Sequence, residues 1–185
     1  MTIRHQGAIL AACLFALGSG AWQAHAQTQS AAEEYRLKAA FVYRFPQFVD
    51  WPAASWTGRD SLEICVSQPN PFGSALTELV QGESLNGKRL VVRQVGANSP
   101  VESCHLLFVG AADGTRGDLL ARAGSLPILT IGETPQFLDR GGMINLRLVD
   151  RRVRFAINIA AADRAGLRLS SQLLRLAIDV RGGGS

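Results

Sequence analysis

The sequence predicts a single α/β domain: a mainly parallel sheet with flanking helices and a C-terminal antiparallel hairpin plus helix. Two observations carry this. Short continuous apolar runs at 61–66, 104–109 and 127–131 alternate with helix-like segments, which is the pattern of βαβ units whose strands are buried on both faces. Farther on, Val153, Phe155, Ile157 and Ile159 alternate with Arg154, Ala156 and Asn158, the period of a strand with one buried and one open face. No internal repeat and no second linker interrupts the pattern, so one core is expected.

The N-terminus comes first. Arg4 is the sole formal charge ahead of an apolar run from Ala8 to Leu17, and Ala24-His25-Ala26 supplies small residues for cleavage. Residues 1–26 therefore read as a secretory signal peptide. The run is too short to stay as a membrane-spanning helix. Leu10-Ala11-Ala12-Cys13 also has the shape of a lipoprotein cleavage box. The apolar stretch before Cys13 is short, and it continues past the cysteine to Leu17. A working signal needs about 7–15 apolar residues before its cut, so the soluble form is expected.

Removing 26 of 185 residues leaves 159, spanning 27–185, a usual size for one domain. Basic residues fall from 19 to 18 against 15 acidic ones, a mild excess of three. The excess is scattered apart from Arg147, Arg151, Arg152 and Arg154. Nucleic-acid binding would need a clustered basic face with interleaved aromatics, so no such partner is expected. The Gly182-Gly183-Gly184-Ser185 tail says nothing about function.

Each element has its own signal. Leu37, Phe41, Phe45 and Phe48, beside Tyr35, Ala39 and Val42, predict a helix over 33–45 buried on much of its circumference; Phe41 and Phe45 should be core. Pro46 ends it. A strand holding Cys65 covers 61–66. A helix covers 71–80, with Pro71 in its first turn and Gly82 past its end. Asn86-Gly87 marks a turn before a strand over 89–95. Residues 104–109 form a buried strand, 117–123 a helix and 127–131 another buried strand. Strands over 143–148 and 153–159 flank Asp150-Arg151 as a hairpin, with Phe155 in the core. A last helix over 170–180 would bury Leu169, Leu173, Ala177 and Val180, with Ser170 as its N-cap.

The chemical inventory is thin. Past the signal there remain one histidine, His105, and two cysteines, Cys65 and Cys104. Gly82 to Lys88 imitates a phosphate-binding loop, but Arg89 replaces the metal-binding hydroxyl and the segment leads into a strand instead of a helix. Gly110, Gly114 and Gly117 lack dinucleotide-loop spacing. A hydrolase would have to use His105, at the edge of an apolar strand with no nucleophile elbow nearby. One histidine and two separated cysteines make no zinc set. No catalytic residue, metal or cofactor is expected. Cys65 and Cys104 are either two buried thiols or, as favoured for small exported domains, a disulfide.

The stretches then coincide with a known family. Glu34 to Tyr43 with Phe45, Phe48, Val49 and Trp51-Pro52, Cys65 with Pro71-Phe72-Gly73, Gly141-Gly142-Met143-Ile144-Asn145 with Val153-Arg154-Phe155 and Asn158, and Ala165-Gly166-Leu167 with Ser170-Ser171 and Leu173-Leu174 together resemble the YfiR/HmsC-like periplasmic proteins. The resemblance implies a non-enzymatic, dimeric periplasmic repressor. It would bind the periplasmic domain of a membrane diguanylate cyclase, lowering cyclic di-GMP and biofilm formation, and an outer-membrane lipoprotein would relieve it. It implies dependence on a disulfide, matched here by Cys65 and Cys104; a second cysteine pair found near the hairpin in some members is missing. Arg152, Arg154, Ser171 and Arg175, on the open side of the hairpin and the last helix, are the expected partner surface. A small-anion-binding module using Arg152, Arg154 and the Ser170-Ser171 helix start is the alternative.

Overall fold

The computed structural model describes residues 19–112 and 116–182. These fall into two compact units, one ending at Glu33 and one beginning at Glu34. In chain order the elements are α1 (Ser19–Arg44), β1 (Val49–Asp50), β2 (Ser61–Ser67), α2 (Ala75–Val80), β3 (Ser84–Leu85), β4 (Lys88–Val95), β5 (Leu106–Val109), α3 (Arg116–Ala123), β6 (Leu129–Gly132), β7 (Ile144–Val149), β8 (Arg152–Asn158), α4 (Ile159–Arg164), β9 (Arg168–Leu169), α5 (Ser171–Leu176) and β10 (Asp179–Arg181).

Eight strands form one sheet in the order β10-β8-β7-β6-β5-β2-β4-β3. β4, β2, β5, β6 and β7 run parallel, and β8 returns antiparallel to β7. From β2 the chain first crosses to β4 and then to β5 on the other side. The crossover through α2 lies on one sheet face, where Leu76 and Val80 join the larger core cluster. The crossover through α3 lies on the opposite face, where Leu119 and Ala123 join a smaller one. This is a doubly wound arrangement whose strand order switches direction between β2 and β5.

Pleating sends alternate residues to the two clusters. Leu62, Ile64 and Val66 of β2 face the larger core with Ala39, Val42 and Phe45, while Cys65 faces the smaller one with Leu107 and Val101. Cys65 and Cys104 are disulfide-bonded, with Cα atoms 5.8 Å apart.

Several details differ from the sequence expectation. α2 starts at Ala75, because the Asn70 side chain accepts from Phe72 N (2.9 Å) and donates to Gly73 O (3.0 Å), holding 70–73 as a turn. Phe41 is half-buried, unlike Phe45 and Phe155, which are core. The last helix is short. The chain turns extended at Ala177, Ile178 N donates to Phe155 O (2.9 Å), and β10 pairs with β8 in parallel. Val180 is therefore an exposed strand residue and not part of a helical stripe. An additional helix, α4, begins where Asn158 Oδ1 accepts from Ala161 N (3.1 Å).

Candidate functional site

In a doubly wound sheet, ligands enter the crevice at the carboxyl ends of the strands, near the switch point. Here that end carries Ser67, Gly110 and Glu133, whose polar groups bond to neighbouring parts of the chain. The buried Ser67 Oγ accepts from Gly110 N (3.0 Å). Glu133, following β6, accepts from Ala111 N (2.7 Å) and Tyr35 OH (3.0 Å) through one carboxylate oxygen. Its other oxygen pairs with Lys38 Nζ at 2.5 Å, and Lys38 also pairs with Glu34 at 2.5 Å. Side-chain exposure is 6% for Lys38 and 3% for Glu133, so the pair is largely buried. Burial alone would lower the Lys38 ammonium, but its hydrogen bonds to Glu133 and Glu34 outweigh this and raise it. Burial first, then Glu133, holds the Tyr35 phenol far above its ordinary value. The network ties α1 to the loops after β5 and β6. Nothing in the sequence marked it, because its partners lie 95 residues apart.

The amino ends of the strands hold His105, fully buried. Its Nδ1 accepts from Glu63 N (3.1 Å), which makes Nε2 the protonated nitrogen, facing Ser55 O at 3.2 Å. Trp56 stacks on the ring at 4.6 Å, and Trp51 Nε1 donates to His105 O (3.2 Å). Both ring nitrogens are committed to backbone, so the imidazole is a structural post, as the sequence suggested. Among the described residues no group of three or more His, Cys, Asp or Glu could hold a metal ion.

The remaining surface is the hairpin and the elements packed on it. Arg152 and Arg154 are exposed on β8, opposite Val149 and Arg147 of β7. They project from the face that carries Ala156 into the smaller core. The other face of β8, with Val153, Phe155 and Ile157, packs in the larger core with Leu173 of α5. Ser171 and Arg175 therefore sit on the opposite side of the sheet from Arg152 and Arg154, joined to each other by Arg175 Nη1 donating to Ser171 Oγ (3.3 Å). The Ser170 hydroxyl already caps α5, accepting from Leu173 N (3.2 Å). The expected surface thus has two separate parts: a basic strand face and a helix rim.

Between them in chemistry lies a feature the sequence reading did not single out. An apolar groove of about 260 Å³ runs between the end of α1 and α5, lined by Ala40, Phe41, Arg44, Phe45, Phe48, Phe155, Leu173 and Leu176. Phe41, half-buried, is its wall, with ring centroids 5.8 Å from Phe45 and 5.9 Å from Phe155. Leu176, which lines the groove, is 60% exposed. The four phenylalanines were visible in the sequence, but periodicity cannot tell a core stripe from a groove wall.

A family model for YfiR/HmsC-like proteins matches residues 35–178. The chain belongs to the YfiR/HmsC-like family. The family is periplasmic, regulatory and non-catalytic, and the Cys65–Cys104 bond fits an oxidising compartment. Among solved structures, the chain is similar to a conserved domain protein from Vibrio cholerae O1 biovar El Tor strain N16961, with 13% identity and a TM-score of 0.48 over 68% of this chain and 56% of that one. The chain spans little more than half the length of that protein. Among the described residues, no helix is long and apolar enough to cross a membrane.

Proposed function

We propose that this YfiR/HmsC-like protein is a periplasmic inhibitor of a membrane-bound diguanylate cyclase, acting by direct contact with the cyclase's periplasmic domain. The observation that carries this reading is the family match over residues 35–178. In this reading residues 1–26 are a cleaved export signal, the working form is a homodimer, and an outer-membrane lipoprotein relieves inhibition by sequestering the protein.

What supports binding in the geometry is that the hairpin and α5 leave charged and apolar side chains open, while Tyr35, Lys38 and Glu133 at the carboxyl ends of the strands are paired with one another. We assign the contact to Arg152 and Arg154 on one side and to Ser171 and Arg175 beside the apolar groove on the other. Arginine suits it because a planar guanidinium pairs bidentately with carboxylates. Deleting the gene should raise cyclic di-GMP and surface attachment. Charge reversal at Arg152 and Arg154 should do the same while the purified variant melts as the wild type does. Unchanged cyclic di-GMP in the deletion strain, with the cognate cyclase expressed, would overturn the repressor reading; unchanged repression by the charge-reversed variant would overturn only the surface.

A further inference from the structure

The β7–β8 hairpin ends in Arg147-Leu148-Val149-Asp150-Arg151-Arg152-Val153-Arg154, four arginines and one acid. Register sets Arg147 directly opposite Arg154, and Val149 opposite Arg152. Three guanidinium stems therefore share one sheet face with Val149. Like charges directly opposite one another across a strand pair repel. Arg147 Nε donates to Asn145 Oδ1 (2.9 Å), which brings no charge. Among the described residues, no carboxylate lies within ion-pair distance of Arg147, Arg151, Arg152 or Arg154. Arg93, by contrast, pairs with Glu63 (3.3 Å) and lies 3.5 Å from the sulfurs of both Cys65 and Cys104, and Arg181 pairs with Asp139 (2.7 Å).

The same tip exposes two aliphatic side chains: Leu148 is 51% and Val149 40% exposed. Leu148 lies opposite Val153, so it projects from the other face of the hairpin than Val149. Apolar area is thus offered on both faces, with guanidinium groups around it. A flat acidic protein surface meets one face of such a tip. The headgroup layer of a bilayer surrounds it, taking aliphatic groups below the phosphates and arginine heads among them.

We propose that the β7–β8 tip docks on an anionic phospholipid surface, with Leu148 and Val149 set into the headgroup layer and the four arginines on lipid phosphates. Docking of this kind presupposes the periplasmic repressor read above and gives it a place in the compartment. A protein held at the membrane meets a membrane-bound cyclase by diffusion in one plane, and Arg152 and Arg154 exchange lipid phosphates for the partner's carboxylates as the contact forms.

The exported protein is mixed with vesicles of phosphatidylcholine alone or of phosphatidylcholine with phosphatidylglycerol, and the bound fraction is read by sedimentation at rising salt. Wild type should bind the phosphatidylglycerol vesicles and not phosphatidylcholine alone, and salt should release it. Arg147→Gln should weaken partitioning about fivefold, the scale of one basic residue at an anionic surface. Leu148→Ser with Val149→Ser should weaken it about tenfold while leaving its salt dependence in place. Arg164→Gln on α4 removes the same charge elsewhere and should bind as the wild type does. Should the serine pair fail to melt as the wild type does, Arg147→Gln against Arg164→Gln decides. Equal binding to both vesicles, binding to neither, or equal losses in Arg147→Gln and Arg164→Gln would overturn the proposal. So would inorganic phosphate raising the melting temperature of wild type but not of Arg147→Gln while vesicles stay unbound, since the arginines would then hold a free anion. The vesicles contain no cyclase, so their failure leaves the cyclic di-GMP result in the deletion strain untouched, and failure of that result leaves vesicle binding untouched.

Discussion

His105 is held neutral chiefly by burial, with its Nδ1 accepting from Glu63 N. Protonating Nδ1 would set a proton against Glu63 N–H, the donor it now accepts from. Burial pushes the imidazole below its ordinary value; the bond to Ser55 O works against this, Arg59 and Lys88 add to it, and Glu63 opposes it. The folded pKa lies below the unfolded value of about 6.5, so the unfolded chain takes up the proton first as pH falls. The stability tied to His105 should be fully present above about pH 6.5 and decline below it until the folded pKa is reached. Urea unfolding at a series of pH values should show this decline, and His105→Gln should flatten it; identical slopes for the two proteins would refute the linkage. The histidine's structural role was readable from its place at the end of an apolar run. The Lys38–Glu133 pair and the Arg93 contact with sulfur were not, because each depends on strand order and register that bring together residues far apart in sequence.

The hairpin shows how local signals set an element and where they run out. Asp150 and Arg151 join β7 to β8 with φ of 48° and 59°, and Val149 pairs with Arg152. This is the two-residue turn with both centres left-handed that Asn-Gly ordinarily supplies, as Asn86-Gly87 does between β3 and β4 with φ of 51° and 77°. The left-handed region costs a residue with a Cβ about 1–2 kcal/mol, and glycine's greater unfolded freedom returns about half of that. Arg151→Gly should therefore stabilise the protein by about 0.5–1 kcal/mol, read as a higher urea midpoint at unchanged slope; no gain would mean that Arg151 makes compensating interactions. The alternation that revealed β8 also misled the reading beyond it. Ile159 continued the apolar period, so the strand seemed to run on, although Asn158 is a good N-cap and Gly166, with φ of 71°, marks a helix end. Likewise Ala177 and Val180 extended the stripe of α5, while the free edge of β8 competed for the chain and drew it into β10.

On the scale of the molecule, the two sheet faces are unequal. One carries the larger cluster under α1, α2, α4 and α5; the other is closed by α3 and by the loops bearing Val101, Cys104, Phe137 and Leu138. Alternating strands and helices made this architecture legible in the sequence, because buried parallel strands and their crossovers impose that pattern. The inequality was not legible, since it depends on which face each crossover takes. On the thinner face the loops pack through close approaches: the Phe137 ring occupies the space that a Cβ on Gly132 or Gly142 would need. The Cys65–Cys104 bond joins β2 to the chain entering β5 on this same face. Closing a separation of 39 residues confines the unfolded chain by about 3.5–4 kcal/mol in the chain-entropy model. Replacing both cysteines by alanine should lower unfolding free energy by about 2–5 kcal/mol, a large share of a domain's net stability. Urea unfolding of the double variant under non-reducing conditions measures it, and a loss below about 1 kcal/mol would show that the unfolded chain is already confined without the bond.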